Sequence, residues 1–132
     1  MNSKKLVLVT LLMFTVCFAA SAKKDLKTGA YLFGLSYSFS DSLVHITNIQ
    51  YLDSAQVDKS HFLVKRAMYS YQLQNFLGQN KSLEHRTCVI FFSTKKKEID
   101  KKYQKMHKQF SDTLTHQLVE LPIGKFKFTK PE

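Results

Sequence analysis

Thr87–Phe110 reads TCVIFFSTKKKEIDKKYQKMHKQF, and it carries two structural periods end to end. Thr87 to Phe92 is an unbroken run of apolar and β-favouring residues, the pattern of a central strand. Thr94 stands where a helix cap belongs. From Lys95 the apolar residues fall at Ile99, Tyr103, Met106 and Phe110, at spacings of four, three and four. That rhythm predicts a helix over 95–110 with one narrow stripe to bury.

Upstream, Tyr31, Phe33, Leu35, Tyr37 and Phe39 alternate with Gly34, Ser36 and Ser38, which predicts a strand with one apolar face buried and the serine face open. Ser40-Asp41-Ser42 turns the chain, and Leu43–Tyr51 returns as a second strand. Val44 and Ile46 share one parity while Ile49 and Tyr51 share the other, so a bulge is expected near Thr47-Asn48. Asp53–Ser60 is a polar connection in which Asp58 or Ser60 can cap a helix. A helix is expected over Phe62–Leu77, with Phe62, Tyr69, Leu73 and Phe76 as one stripe and Val64, Met68 and Tyr71 beside it. His61–Val64 also suits an extended start. Gly78 is placed to end the helix. Downstream, Leu114–Leu121 is expected as a strand, Pro122-Ile123-Gly124 as a turn, and Phe126 and Phe128 as the apolar positions of a short last strand. The elements add up to an α+β two-layer sandwich: an antiparallel or mixed sheet of four to five strands with two helices on one face.

The N-terminus follows a different logic. Lys4 and Lys5 precede a stretch, Leu6–Ala20, without a charged residue, and Ala20-Ser21-Ala22 gives small side chains before the polar Lys23-Lys24-Asp25. These are the parts of a secretory signal peptide over 1–22, with cleavage expected after Ala22. The apolar run is shorter than the roughly 20 residues a bilayer span needs. Lipidation at Cys17 is the lesser alternative, because Val16 is bulky where a small residue belongs. Residues 23–132 then form a single α+β domain in the periplasm or outside the cell. Loss of Lys4 and Lys5 lowers the formal charge from +10 to +8 and leaves Cys88 as the one cysteine, so the fold rests on its core rather than on an internal disulfide.

For chemistry, the helix over 95–110 stands out. Lys95, Lys96, Lys97, Lys101, Lys102, Lys105 and Lys108 are crowded against Glu98 and Asp100 alone. With the stripe turned inward, the lysines project into water and raise the local anion concentration. Three of them meet free backbone N–H groups at the strand-to-helix junction, a setting that suits a phosphate or carboxylate. These seven lysines are the candidate anion- or partner-binding residues. The expected partner is an envelope protein or an anionic surface, lipid headgroup or acidic glycan. The export signal argues against nucleic acid.

Catalytic readings are weaker. Cys88 lies in an apolar strand, where burial raises a thiol pKa, and His85 is three residues earlier. This pair carries the alternative of an envelope enzyme assembled from sequence-distant residues. His45, His61, His85, His107 and His116 show no helical zinc spacing, and Glu84, Glu98 and Glu120 have no evident carboxylate partner, so no metal or cofactor is expected. Tyr69-Ser70-Tyr71 and the first strand could line an aromatic platform. An exposed strand edge could drive assembly.

The leader, the run Tyr69-Ser70-Tyr71-Gln72-Leu73, the segment Arg86-Thr87-Cys88-Val89-Ile90-Phe91-Phe92-Ser93 and the lysine-rich helix together resemble small uncharacterised exported proteins of Bacteroidota-type bacteria. The resemblance implies a bacterial envelope location and no catalytic residue. The expected role is a non-enzymatic binding or interaction module.

Overall fold

The structure is a computed structural model that describes residues 26–81, 83 and 85–132. The expected signal peptide over 1–22, its cleavage site, Cys17 and Glu84 lie outside the described residues. Seven elements follow in order: β1 (Lys27–Tyr37), β2 (Leu43–Thr47), β3 (Gln50–Val57), α1 (Arg66–Lys81), β4 (Thr87–Ser93), α2 (Lys96–Ser111) and β5 (Gln117–Leu121). The fold is α+β, with a mixed five-stranded sheet and two helices.

β1 is the spine of the sheet. Along one edge it pairs antiparallel with β4, from Tyr31 opposite Ser93 to Tyr37 opposite Thr87. Along the other it pairs with β3 at Lys27–Leu32 and with β2 at Leu35 and Ser36. β5 then joins β2 in parallel. The expected slip in the returning strand is the gap at Asn48-Ile49 between β2 and β3. There the Gly34 N–H donates to Thr47 Oγ1 at 2.9 Å, and that hydroxyl donates to Asn48 O at 3.0 Å, so a side chain replaces the missing ladder bond. The parity change keeps Val44, Ile46 and Ile49 in one cluster with Phe33 and Leu35.

The helices divide between the two faces of the sheet rather than sharing one. Ala30 and Leu32 of β1 and Ile90 of β4 pack with Tyr69, Leu73 and Leu77 of α1. Phe33, Leu35, Val44 and Ile46 pack on the opposite face with Ile99 of α2, flanked by Tyr103, Met106 and Phe110. The serine-bearing face of β1 is therefore covered, and Ser36 is fully buried. It reads as polar because glycine and serine leave room for what lies above: a Cβ at Gly34 would sit 2.7 Å from a Leu73 methyl and 3.2 Å from the Phe128 ring.

α1 begins four residues later than the apolar stripes suggest. His61 and Lys65 have positive φ, Leu63 bridges back to Val57, and Phe62 and Met68 are exposed. Asp58 caps this turn, not the helix, by accepting the Ser60 and Phe62 N–H groups. Gly78 lies inside α1, which continues to Lys81. The last segment is not a strand. Its backbone is held by side-chain amides: Gln50 donates to Phe126 O and accepts from Phe128 N, while Gln72 does the same for both groups of Thr129. These bonds stand in for a ladder and seat Phe126 and Phe128 in the core.

β4 has an outer edge, but side chains occupy it. Arg66 donates through Nε and Nη2 to Ile90 O and lies 5.3 Å over the Phe92 ring, Lys102 reaches Phe92 O at 3.4 Å, and Gln74 reaches Arg86 O at 3.2 Å. Assembly through this edge would have to displace them.

Because Phe128 is fully buried although no regular element holds it, Phe128→Ala is expected to cost about 3–5 kcal/mol of stability. Ile123→Ala, at an exposed turn position, is expected to leave the urea midpoint nearly unchanged.

Candidate functional site

α2 is positioned by three fixed points. Ile99 is fully buried under the sheet, the half-buried Tyr103 ring meets Phe33 edge-on at 5.3 Å, and His107 Nε2 contacts Glu120 of β5 at 2.7 Å. The stripe in Tyr103, Met106 and Phe110 follows one side, as the spacing requires. All seven candidate lysines are exposed, and Lys97, Lys101, Lys105 and Lys108 follow the outer ridge at helical spacing. Among the described residues none of the seven forms an ion pair, Lys102 making the backbone contact already described.

The start of α2 differs from expectation in one respect. Its N-cap is Lys95, with extended backbone and no side-chain cap, in place of Thr94. Ser93 does the local work from the end of β4: its hydroxyl accepts the Lys95 N–H at 3.1 Å and donates to Glu98 at 2.8 Å. One of the two acids on the helix is thereby turned toward the strand end and away from the lysine ridge. Beside this junction lies a cleft of about 510 Å³ lined by Lys27, His61, Ser93, Lys95, Glu98 and Lys102, among others. Lys27 and His61 were missed in the sequence because they arrive from the start of β1 and from the turn after β3, and no local spacing links them to α2.

A second polar constellation lies at the opposite end of the sheet, against the α1 face. Arg86 is buried and forked: Nε donates to Ser36 Oγ at 2.9 Å, Nη1 pairs with Asp41 Oδ2 at 2.7 Å, and Nη2 donates to Leu43 O. The Arg86 guanidinium holds the Asp41 carboxyl below its ordinary value, with the Leu43 N–H helping. His45, opposite Ser36 in the ladder, is 3% exposed, and its Nδ1 has no hydrogen-bond partner among the described residues. Burial pushes the imidazole pKa down, Arg86 and Lys81 push it further, and Asp41 opposes them. The signal in the sequence was the residue type. Arg66 and Arg86 are the two arginines of the chain among 18 lysines, and both are tied to backbone oxygens.

The enzyme alternative gains little from the geometry. Cys88 is half-buried in β4, and burial raises its thiol pKa against a lesser opposing effect from Ser36. His85 lies in a left-handed turn before the strand and lines a shallow cleft with Gln74, Asn75, Gly78 and Gln79, to which Cys88 does not contribute. No group of three or more histidine, cysteine, aspartate or glutamate side chains fit to hold a metal occurs among the described residues. Tyr69 is buried against Phe128 while Tyr71 is exposed, so the two do not form a shared platform.

Comparison of the chain with protein-family models, with curated proteins and with solved structures gives no match. The fold and the arrangement of charge therefore carry the functional argument by themselves.

His45 makes stability depend on pH. An unfolded imidazole takes up a proton near pH 6.5, whereas the folded one resists until lower pH. The unfolded state then binds more protons, so the His45 contribution is complete above about pH 6.5 and is lost as pH falls below it. Urea midpoints between pH 7.5 and pH 5 are expected to fall for the unsubstituted protein and to fall less for His45→Leu.

Proposed function

We propose that the protein is a non-enzymatic docking module of the bacterial envelope, exported to the periplasm or beyond, whose α2 outer face engages a polyanionic partner. One observation carries this reading: seven lysines exposed on one helix without a carboxylate partner among the described residues. Lysine heads in water keep their charge and hydration, and a ridge of them attracts anions over about 8 Å at physiological salt. The cleft at the head of α2 brings Lys27 beside Lys95 and Lys102, with Glu98 as an acid in its lining. The Tyr103, Met106 and Phe110 stripe and the His107–Glu120 pair hold the ridge against a rigid sheet, so docking needs no ordering of the helix.

The leader supports export, and mass spectrometry of protein from its native source is expected to find Lys23 at the mature N-terminus. For the docking surface, affinity for anionic vesicles and for a sulfated polysaccharide is measured across a salt series, with neutral vesicles as control. Binding is expected to weaken steeply with salt. Replacing Lys97, Lys101, Lys105 and Lys108 together by glutamine is expected to weaken it about a hundredfold at low salt, each lysine near an anionic surface contributing about 1 kcal/mol at most. Equal affinity of the two proteins, or binding indifferent to salt, would remove the reading.

A further inference from the structure

Two large apolar side chains stand clear of the fold at one end of the sheet. Phe39, in the turn between β1 and β2, is 99% exposed, and Leu114, between α2 and β5, is 107% exposed relative to a free reference. Their turns are neighbours although most of the chain separates them in sequence. β5 starts beside β2, with Leu43 opposite Gln117, and the Gln117 N–H donates to Ser42 O at 2.8 Å.

The Phe39 turn is braced. Ser38 and Ser40 share a hydrogen bond at 2.8 Å, and Asp41 is held by the Leu43 N–H and by Arg86. Phe39 thus projects from a defined turn, its ring in edge contact with Tyr37 at 6.2 Å. A protein partner would call for a continuous apolar patch with a core that can be fully dried. Two separate knobs rising from serine-, threonine- and aspartate-rich turns do not make one. A bilayer interface does accept isolated aromatic and aliphatic groups, which enter the boundary between headgroups and acyl chains to a depth of about 5–10 Å. Charge agrees with that occupant. The C-terminal half of α2 leads to the same end and carries the exposed Lys105 and Lys108. Of the two aspartates in these turns, Asp41 is already neutralised by Arg86, which leaves Asp112.

We propose that the partner is an anionic lipid bilayer, entered by Phe39 and Leu114 while Lys105 and Lys108 lie over the headgroups. The proposal deepens the docking reading of α2 and rests on it. It makes the contact tilted: the end of the sheet bearing the two turns points into the membrane, and the cleft at the head of α2 points away.

The chain has no tryptophan, so single indoles can report position. F39W, L114W and a control, F62W at the exposed turn beyond β3, are each placed in the otherwise unaltered chain. They are mixed with vesicles of phosphatidylglycerol and phosphatidylcholine, or of phosphatidylcholine alone, carrying brominated acyl chains. Blue-shifted emission and quenching are expected for F39W and L114W with the anionic vesicles, and neither for F62W. The double variant F39S/L114S, which removes two exposed side chains and the edge contact with Tyr37, is expected to partition about tenfold more weakly. Vesicle binding without quenching at positions 39 and 114, or with equal quenching of F62W, would overturn insertion and leave lysine docking in place. Binding to a sulfated polysaccharide but to no vesicle would overturn the lipid partner alone. Binding to neither would overturn both readings.

Discussion

Every layer of this molecule is referred to one strand that is buried on both sides. β1 presents Tyr31, Phe33, Leu35 and Tyr37 to one face and Ala30, Leu32, Gly34 and Ser36 to the other, and it is hydrogen-bonded along both edges. The bulky face needs only the narrow stripe of α2 to close it. The small-residue face needs more, and it is filled by α1 together with Phe126 and Phe128. That difference sets the surface. α1 is sunk deep at Tyr69, Leu73 and Leu77, whereas α2 has one fully buried residue, Ile99, and shows most of its circumference to water.

Much of this was legible. The β1–β2 hairpin, the bulge that follows it, β4 and α2 follow from the sequence pattern, whereas β5 starts three residues later than Leu114 and β3 continues through Asp53–Val57, where a polar connection was expected. What failed to announce itself had a mixed environment. Ser36 looks like a solvent residue, but its hydroxyl is the partner of the buried Arg86 Nε. Phe62 and Met68 look like core, but Leu63 is the residue that reaches it, through a turn with two left-handed residues. Phe126 and Phe128 alternate like a strand, but two glutamine side chains supply the pairing that a neighbouring strand would have given. For Ser36 and for the last segment a distant partner decides the outcome, and for Leu63 the backbone of the turn does; apolar spacing holds no trace of either.

The candidate surface was legible for the same reason that α2 was. Once the stripe is assigned, the lysines have nowhere to go but outward, and no other element competes for them. The cleft at the head of α2 and the paired turns at its foot were not, since both depend on strand order: β1 beside β3 for the first, β2 beside β5 for the second. Arginine and lysine also divide the labour by chemistry. The planar, multiply donating guanidiniums of Arg66 and Arg86 lock backbone carbonyls, and the compact ammonium groups of Lys97, Lys101, Lys105 and Lys108 are exposed along α2.

The ridge on α2 also stores electrostatic tension. Lys97, Lys101, Lys105 and Lys108 repel one another at adjacent helical positions, a cost of a few tenths of a kcal/mol for each neighbouring pair, and no capping side chain offsets it at Lys95. The helix persists because the sheet beneath clamps it. Whatever neutralises the ridge therefore relaxes a loaded spring as well as gaining contacts, and the occupied molecule should outlast the empty one on heating.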